Sequence, residues 1–245
     1  MEQPLRPSLV GVGVGPGDPG LLTVRALGVL RQADRVLAPT MAADAEGRAE
    51  AIVRAAAPDV AVSRLVFAIG DDDERRRQAH ATAAEVVAGH LDAGERVAFV
   101  TLGDPNVYST FHHLARSVRR LRPQVEVQSE PGIMAFQDLA ARTTTMVLDA
   151  GERLHLVSAV EGTQALQRAL QDPDAAIVVY KGGRHLPELA DALARSGRLH
   201  GAVVGELLGM EGERVLPLAE AADGPGSYLA SVLVPPVRSG DGDHR

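Results

Sequence analysis

Residues 9–23, LVGVGVGPGDPGLLT, restrict the fold of this chain more than any other stretch. Leu9 to Val14 reads as an apolar strand with glycines at 11 and 13 and a third following at 15, so another backbone or a ligand can approach where no Cβ stands. Gly15-Pro16-Gly17 turns the chain. Asp18 takes the place of a helix N-cap and Pro19 the first helical position, where its missing N–H costs nothing. From Leu21 the apolar residues switch to helical spacing, with Leu22, Ala26, Val29 and Ala33 at i, i+4, i+7 and i+11. The result is a strand–turn–helix unit with a glycine-lined carboxyl end. In open α/β sheets, ligands bind at that end.

Two further stretches repeat this chemistry. Val97 to Leu102 is a continuous apolar run, as expected of a strand buried on both faces, and Gly103-Asp104-Pro105 restates residues 17–19. A helix is predicted to follow, burying Val107, Phe111, Leu114, Val118 and Leu121. At 125–141 a short alternating strand runs into Glu130-Pro131-Gly132 and then an alanine-rich helix. Taken singly, Gly-Asp-Pro reads as a cap and Pro-Gly as a turn. Between these stretches the pattern predicts a strand from Arg35 to Ala38 ended by Pro39, a helix over 46–57, a strand over 62–69 and a helix from Asp71 to about His90. The second half predicts strands over 155–159, 176–181 and 202–207, helices over 164–170 and 186–196, and a closing antiparallel pair of 214–219 with 228–234. The domains expected are 1–147 and 148–234, with a disordered, Pro-, Gly- and Asp-rich tail over 235–245.

Composition excludes several classes. A net charge of −7 with 3% aromatic residues argues against a nucleic-acid binder. No apolar run is long enough to span a bilayer, MEQPLRPS is no signal peptide, and the absence of cysteine removes disulfides and thiolate metal sites. The cytoplasm is the expected location. The eight histidines show no H-E-x-x-H or comparable ligand spacing, so no metal is expected. A dinucleotide loop fails on spacing: G-x-G-x-x-G breaks at Pro16 when started from Gly11 and at Asp18 when started from Gly13, and no G-x-x-x-x-G-K-[ST] phosphate loop occurs.

What the residues do spell is G-x-G-P-G-D-P-x-x-L-T, which resembles the opening signature of the tetrapyrrole methylases. That family uses S-adenosyl-L-methionine (SAM) to methylate uroporphyrinogen and corrin precursors. L-G-D-P-x-x-Y-S at 102–109 is similar to its second motif and P-G-I-x-A at 131–135 to its third, in family order. Y-K-G-G-R-H-L at 180–186 and G-E-x-L-G-x-x-G-E-R at 205–214 resemble the C-terminal domain of the corrin-pathway members. The resemblance implies an α/β fold of two domains with the cofactor cleft between them, SAM as cosubstrate, a tetrapyrrole substrate and a homodimer. It places Pro16, Leu102, Gly103, Asp104, Val107, Met134, Ala135, Lys181 and Leu208 around the cofactor. Asp104 is expected to position SAM and, with Tyr108, to form the catalytic pair; Glu130 is a further candidate for the departing proton. Motif details are closest to the branch that methylates precorrin-2 at C20. The uroporphyrinogen branch carries an acidic residue after the first helix, where this chain has Ala38-Pro39-Thr40.

The substrate class bears many carboxylates, so Arg31, Arg35, Arg142 and Arg184 are candidates for its capture, although 24 arginines against one lysine make most of them ordinary surface residues. Other readings stay open: a cobalt-containing macrocycle as substrate, another methylase of the family, a non-catalytic SAM or nucleotide binder, or a phosphate-binding enzyme using the glycines at a helix start.

Overall fold

The computed structural model describes residues 6–67 and 73–238. It divides into two compact units, Met1–Met134 and Ala135–Arg245. The first holds a five-stranded sheet of β1 (Ser8–Gly13), β2 (Arg35–Thr40), β3 (Val62–Val66), β4 (Arg96–Thr101) and β5 (Glu126–Glu130), in the order β3-β2-β4-β1-β5, with every pairing parallel. Parallel strands need helical crossovers, supplied by α1 (Val24–Gln32), α2 (Arg48–Ala56), α3 (Asp73–Asp92) and α4 (Phe111–Leu121). Side-chain alternation sorts the core into two layers. Leu9, Leu37 and Phe99 face α3 and α4 through Val87, Leu91, Leu114 and Val118, while Val12, Ala38, Ala98 and Val100 face α1 and α2 through Ala26, Leu30, Ile52 and Val53. A sheet covered on both faces explains why β4 reads as an unbroken apolar run.

The order of strands creates the site. From β1 the chain crosses over β4 to reach β2, with α1 on one face. From β4 it crosses over β1 to reach β5, with α4 on the other. Neighbouring strands whose connections leave in opposite directions open a crevice beyond their carboxyl ends. Here it falls between β1 and β4, the strands that lead into the first two glycine motifs.

Several elements differ from the sequence reading, each for a local reason. Asp18 and Pro19 do begin a helical turn, but only a 3-10 turn, Pro19–Leu21; α1 begins afresh behind Thr23, whose hydroxyl accepts from Ala26 N at 3.0 Å. Pro39 does not end β2. The ladder with β4 stops at Leu37, so Pro39 stands where only β3 pairs. The helix after Pro105 does not begin there: 104–110 is irregular, and α4 starts at Phe111. The expected strand to Ile69 and helix start at Asp71 lie partly outside the described residues.

The second unit carries α5 (Ala135–Thr143), β6 (Arg153–Ser158), α6 (Gln164–Ala169), β7 (Ala175–Tyr180), α7 (Leu186–Arg195), β8 (Val203–Glu206), β9 (Arg214–Pro217), α8 (Leu218–Ala221) and β10 (Ala230–Val234). Its sheet is mixed, in the order β6-β7-β10-β8-β9: β6 and β7 are parallel, and β10 runs antiparallel between β7 and β8. The expected pairing of 214–219 with 228–234 is therefore corrected. Every residue of β10 is buried, which calls for a neighbour on each side, whereas β9 is partly exposed and takes the edge beside β8. The units part at 134/135 and not at 147, because α5 packs on β8 and β10, with Leu139 fully buried over Gly205. Of the tail expected to be disordered, residues 235–238 are tied down. Val237 N donates to Pro173 O, Arg198 to Pro235 O, and Arg238 pairs with Glu152. Residues 239–245 lie outside the described residues.

Candidate functional site

In the first unit all three glycine motifs meet at the carboxyl ends of the adjacent strands β4, β1 and β5. Val14 N donates to Thr101 O at 3.0 Å and Gly103 N to Gly15 O at 2.8 Å, so the first two loops continue as a short antiparallel bridge past the sheet's end. A Cβ on Gly13 would lie 2.4 Å from Gly103 O and 2.6 Å from Gly132 N; one on Gly132 would lie 2.1 Å from Gly103 O. Three backbones thus touch at one point where no side chain fits. At Gly103 itself, in the left-handed region at φ 63°, a Cβ would meet only Met134 Cα, at 4.0 Å, so the space above that turn is open.

Asp104 is the fastener of this arrangement. Its Oδ1 accepts from Asn106 N at 2.8 Å, closing a turn within the second motif, and its Oδ2 accepts from Gly132 N at 3.2 Å in the third. The capping role on α4 does not hold, since that helix starts seven residues later. Asn106 adds a second tie, from Nδ2 to Ser129 Oγ at 3.1 Å, and Thr101 meets Ser109 hydroxyl to hydroxyl at 3.0 Å. Asn106 and Ser129 were not legible as site residues: an exposed Asn and a strand Ser carry no signal until the loops are folded together.

The remaining candidates sort by unit. Pro16 is buried at the turn of the first loop; Leu102, Val107 and Met134 are half-buried around the open space, and Ala135 follows Met134 at the start of α5. Tyr108 is 47% exposed with φ 48°, a left-handed conformation that costs a non-glycine residue about 1–3 kcal/mol. Lys181 and Leu207 share that conformation, at φ 59° and 51°. Among the described residues only Thr144 joins them, so three of four such residues fall on motif loops. Such strain persists where the surrounding structure over-determines it, and it gathers at functional sites. Lys181 and the buried Leu208 lie just past the carboxyl ends of β7 and β8, strands separated only by β10.

Glu130 is not a poised base. It is 7% exposed at the end of β5 and held by Arg25 of α1, whose Nε reaches both carboxylate oxygens at 2.8 Å. The pair holds the Arg25 guanidinium above its ordinary value, chiefly through that hydrogen bond. Three arginines proposed for substrate capture are otherwise engaged. Arg31 pairs with Asp59, and Arg35 with Glu95 at the amino end of β2, opposite the motif loops. Arg142 is shared by Asp138 and Glu213. Arg184 is exposed in the loop after β7. Among the described residues no cluster of three or more His, Cys, Asp or Glu could hold a metal, and no helix is long and apolar enough to cross a membrane.

The donor set fits SAM. A cofactor with a cationic sulfonium between short apolar arms, and with polar ends, would find main-chain N–H and C=O groups at strand ends, half-buried Leu102, Val107 and Met134, and clear space over Gly103. Comparison with known proteins agrees. The family profile of tetrapyrrole (corrin/porphyrin) methylases matches residues 8–222. A precorrin-2 C(20)-methyltransferase from Sinorhizobium sp. is 36% identical over 236 residues, spanning 93% of this chain and 94% of that protein. A cobalt-precorrin-2 C(20)-methyltransferase from Salmonella typhimurium is 27% identical over 229 residues, spanning 92% and 95%. The solved structure of cobalt precorrin-4 methyltransferase, a cobalamin biosynthetic enzyme, superposes with a TM-score of 0.70 at 19% identity, covering 93% of this chain and 94% of that one. It shares the fold. With the profile running through the whole first sheet, all three glycine motifs and the second unit as far as α8, the chain belongs to the tetrapyrrole methylase family.

Proposed function

We propose that this chain is a SAM-dependent C-methyltransferase of cobalamin biosynthesis that methylates precorrin-2 at C20 to give precorrin-3A. The observation that carries the reading is the 36% identity, nearly end to end, with the Sinorhizobium enzyme of that name. The sequence at 38–40 supports it, because the acidic residue of the uroporphyrinogen branch is replaced there by Ala-Pro-Thr. Bound SAM supplies a methyl group made electrophilic by its sulfonium, and a reduced tetrapyrrole supplies an electron-rich carbon. The chain's part is to hold the two in line, which can contribute several kcal/mol, up to about 7–11 in the best-oriented systems. Asp104 fixes the second and third loops to one another. Leu102, Val107 and Met134 give the cofactor an apolar wall and Pro16 and Gly103 a main-chain one; Ala135, Lys181 and Leu208 are the further positions that the family resemblance implies for the cofactor. The methylated carbon sheds a proton, and Tyr108, exposed at the rim of the second loop, is the residue proposed to pass it to solvent.

A second reading, the cobalt complex of precorrin-2 as substrate, is favoured by the Salmonella relative, at 27% identity. Incubation with carbon-13-methyl SAM and either macrocycle decides between them. The expected result is a mass gain of one methyl on metal-free precorrin-2, with the label at C20 by carbon NMR. Methylation of uroporphyrinogen III at C2 and C7, with precorrin-2 left untouched, would move the chain to the uroporphyrinogen branch, and SAM binding without turnover would make it a non-catalytic binder. We further propose a cytoplasmic homodimer, which light scattering after gel filtration would register as twice 25.7 kDa.

A further inference from the structure

The second unit contains a built loop that no motif assigns. Residues 223–229, DGPGSYL, lead into β10 from between the carboxyl ends of β7 and β8. Two hydrogen bonds lock the loop. Glu206, 3% exposed at the end of β8, accepts from Ser227 N at 2.5 Å through Oε1, and its Oε2 stands 3.1 Å from Arg214 Nη1. Gly226 N donates to Gly183 O at 2.6 Å. There is no slack: a Cβ on Gly226 would fall 2.1 Å from Glu206 Oε1, and one on Gly183 would fall 1.7 Å from Ser227 O. A buried carboxylate spent on a main-chain N–H is an expensive way to hold a surface loop unless the loop's shape matters. What the loop presents is Tyr228, half exposed, with Lys181 Nζ 5.9 Å from its ring centroid. Lys181 is the one lysine of the chain, and it is held there in a left-handed backbone conformation.

We propose that Lys181 and Tyr228 together take a carboxylate of the substrate, and that Glu206 is the positioning residue that sets the pair. This rests on the reading of the substrate as a polycarboxylate tetrapyrrole. An ammonium oriented over an aromatic face, beside a phenol able to donate a hydrogen bond, gives a carboxylate one charged and one neutral donor from the same side. Capture of this kind acts on substrate binding and leaves the transfer step alone, so KM for the macrocycle should move and kcat should not.

The test uses the full chain and two readouts. The first is binding of uroporphyrin, a stable octacarboxylate that needs no turnover, followed by fluorescence titration; the second is KM and kcat with precorrin-2. Tyr228→Ala is expected to weaken uroporphyrin binding about tenfold and to raise KM for precorrin-2 similarly with kcat within twofold, Lys181→Met to weaken uroporphyrin binding about tenfold, and Tyr228→Phe to show a smaller loss. Tyr228→Ala should leave the SAM dissociation constant unchanged by calorimetry. Glu206→Gln should reproduce the Tyr228→Ala profile more weakly; if it fails to fold, the exposed Tyr228 variants still decide. Unchanged uroporphyrin affinity in Tyr228→Ala overturns the proposal, as does a loss confined to SAM. Failure of the wild type to methylate precorrin-2 would strike the proposed function alone, because uroporphyrin binding reads the carboxylate site without it.

Discussion

Asp104 shows how much a single side chain's meaning depends on what its two oxygens touch. As a helix cap it could be exchanged for asparagine at almost no cost. In the folded loops both oxygens accept main-chain N–H groups, from Asn106 and Gly132, and an asparagine can supply an acceptor to only one of them while turning an N–H toward the other. Asp104→Asn is therefore expected to lower stability by about 1–3 kcal/mol and to weaken SAM binding by about tenfold, since the Gly132 turn loses its tether. Melting curves and calorimetric titration read both effects, and wild-type behaviour in each would return Asp104 to an ornamental turn. Glycines give a paired prediction. Gly132→Ala drives a Cβ into Gly103 O and should cost about 3 kcal/mol or more, because backbone cannot step aside. Gly28→Ala, inside α1 with nothing within 4 Å of the new atom, should stabilise by about 0.5–1 kcal/mol. Urea unfolding of both variants checks the contrast.

Between elements, the Arg25–Glu130 pair joins the helix after the first motif to the strand before the third. Its carboxylate is buried and its guanidinium largely exposed, so truncating the arginine strands a desolvated charge. Arg25→Ala should cost clearly more stability than Arg31→Ala, whose partner Asp59 is itself exposed. Equal losses in urea unfolding would contradict this account. The site's elements were readable in the sequence to different depths. The strands leading into 15–17 and 103–105 were plain, because buried parallel strands are apolar throughout, whereas the exposed edge strand before 131–132 showed only as a short alternation. The irregular stretch 104–110 was not: the stripe of Val107, Phe111, Leu114, Val118 and Leu121 continues the helical period back over it, yet the ties of Asp104, Asn106 and Ser109 hold that segment out of the helix. Likewise the apolar run of β10 announced a strand, but nothing in it said which neighbours it would choose.

Across the first unit, charge at the amino end of the sheet makes stability depend on pH. Asp34 accepts from Arg96 N at 2.8 Å and from its guanidinium at 2.9 and 3.0 Å, joining the start of β2 to β4, and these bonds lower its pKa from 3.8 to about 2. A carboxyl depressed by folding stabilises fully above the unfolded value, and the gain disappears as pH falls through the folded one. Between pH 4 and pH 2 the wild type should accordingly lose stability more steeply than Asp34→Asn, by a modest margin because the side chain is 43% exposed. Urea midpoints at half-unit pH steps would show it; parallel curves would remove Asp34 from the acid response. At this same scale lies the division between chain and fold. The sequence alone determined the family, the α/β class, the three glycine loops and most strands, because these rest on local steric demands that a few residues must meet wherever they are placed: a backbone without Cβ, a proline at a turn, a strand with no polar face. Only the tertiary structure decided that Asp104 fastens two loops, that Glu130 is paired, that β10 enters the middle of its sheet, and that Arg31 and Arg35 stand away from the motif loops. Each of these depends on contacts between residues far apart in the chain, and no local pattern encodes a partner.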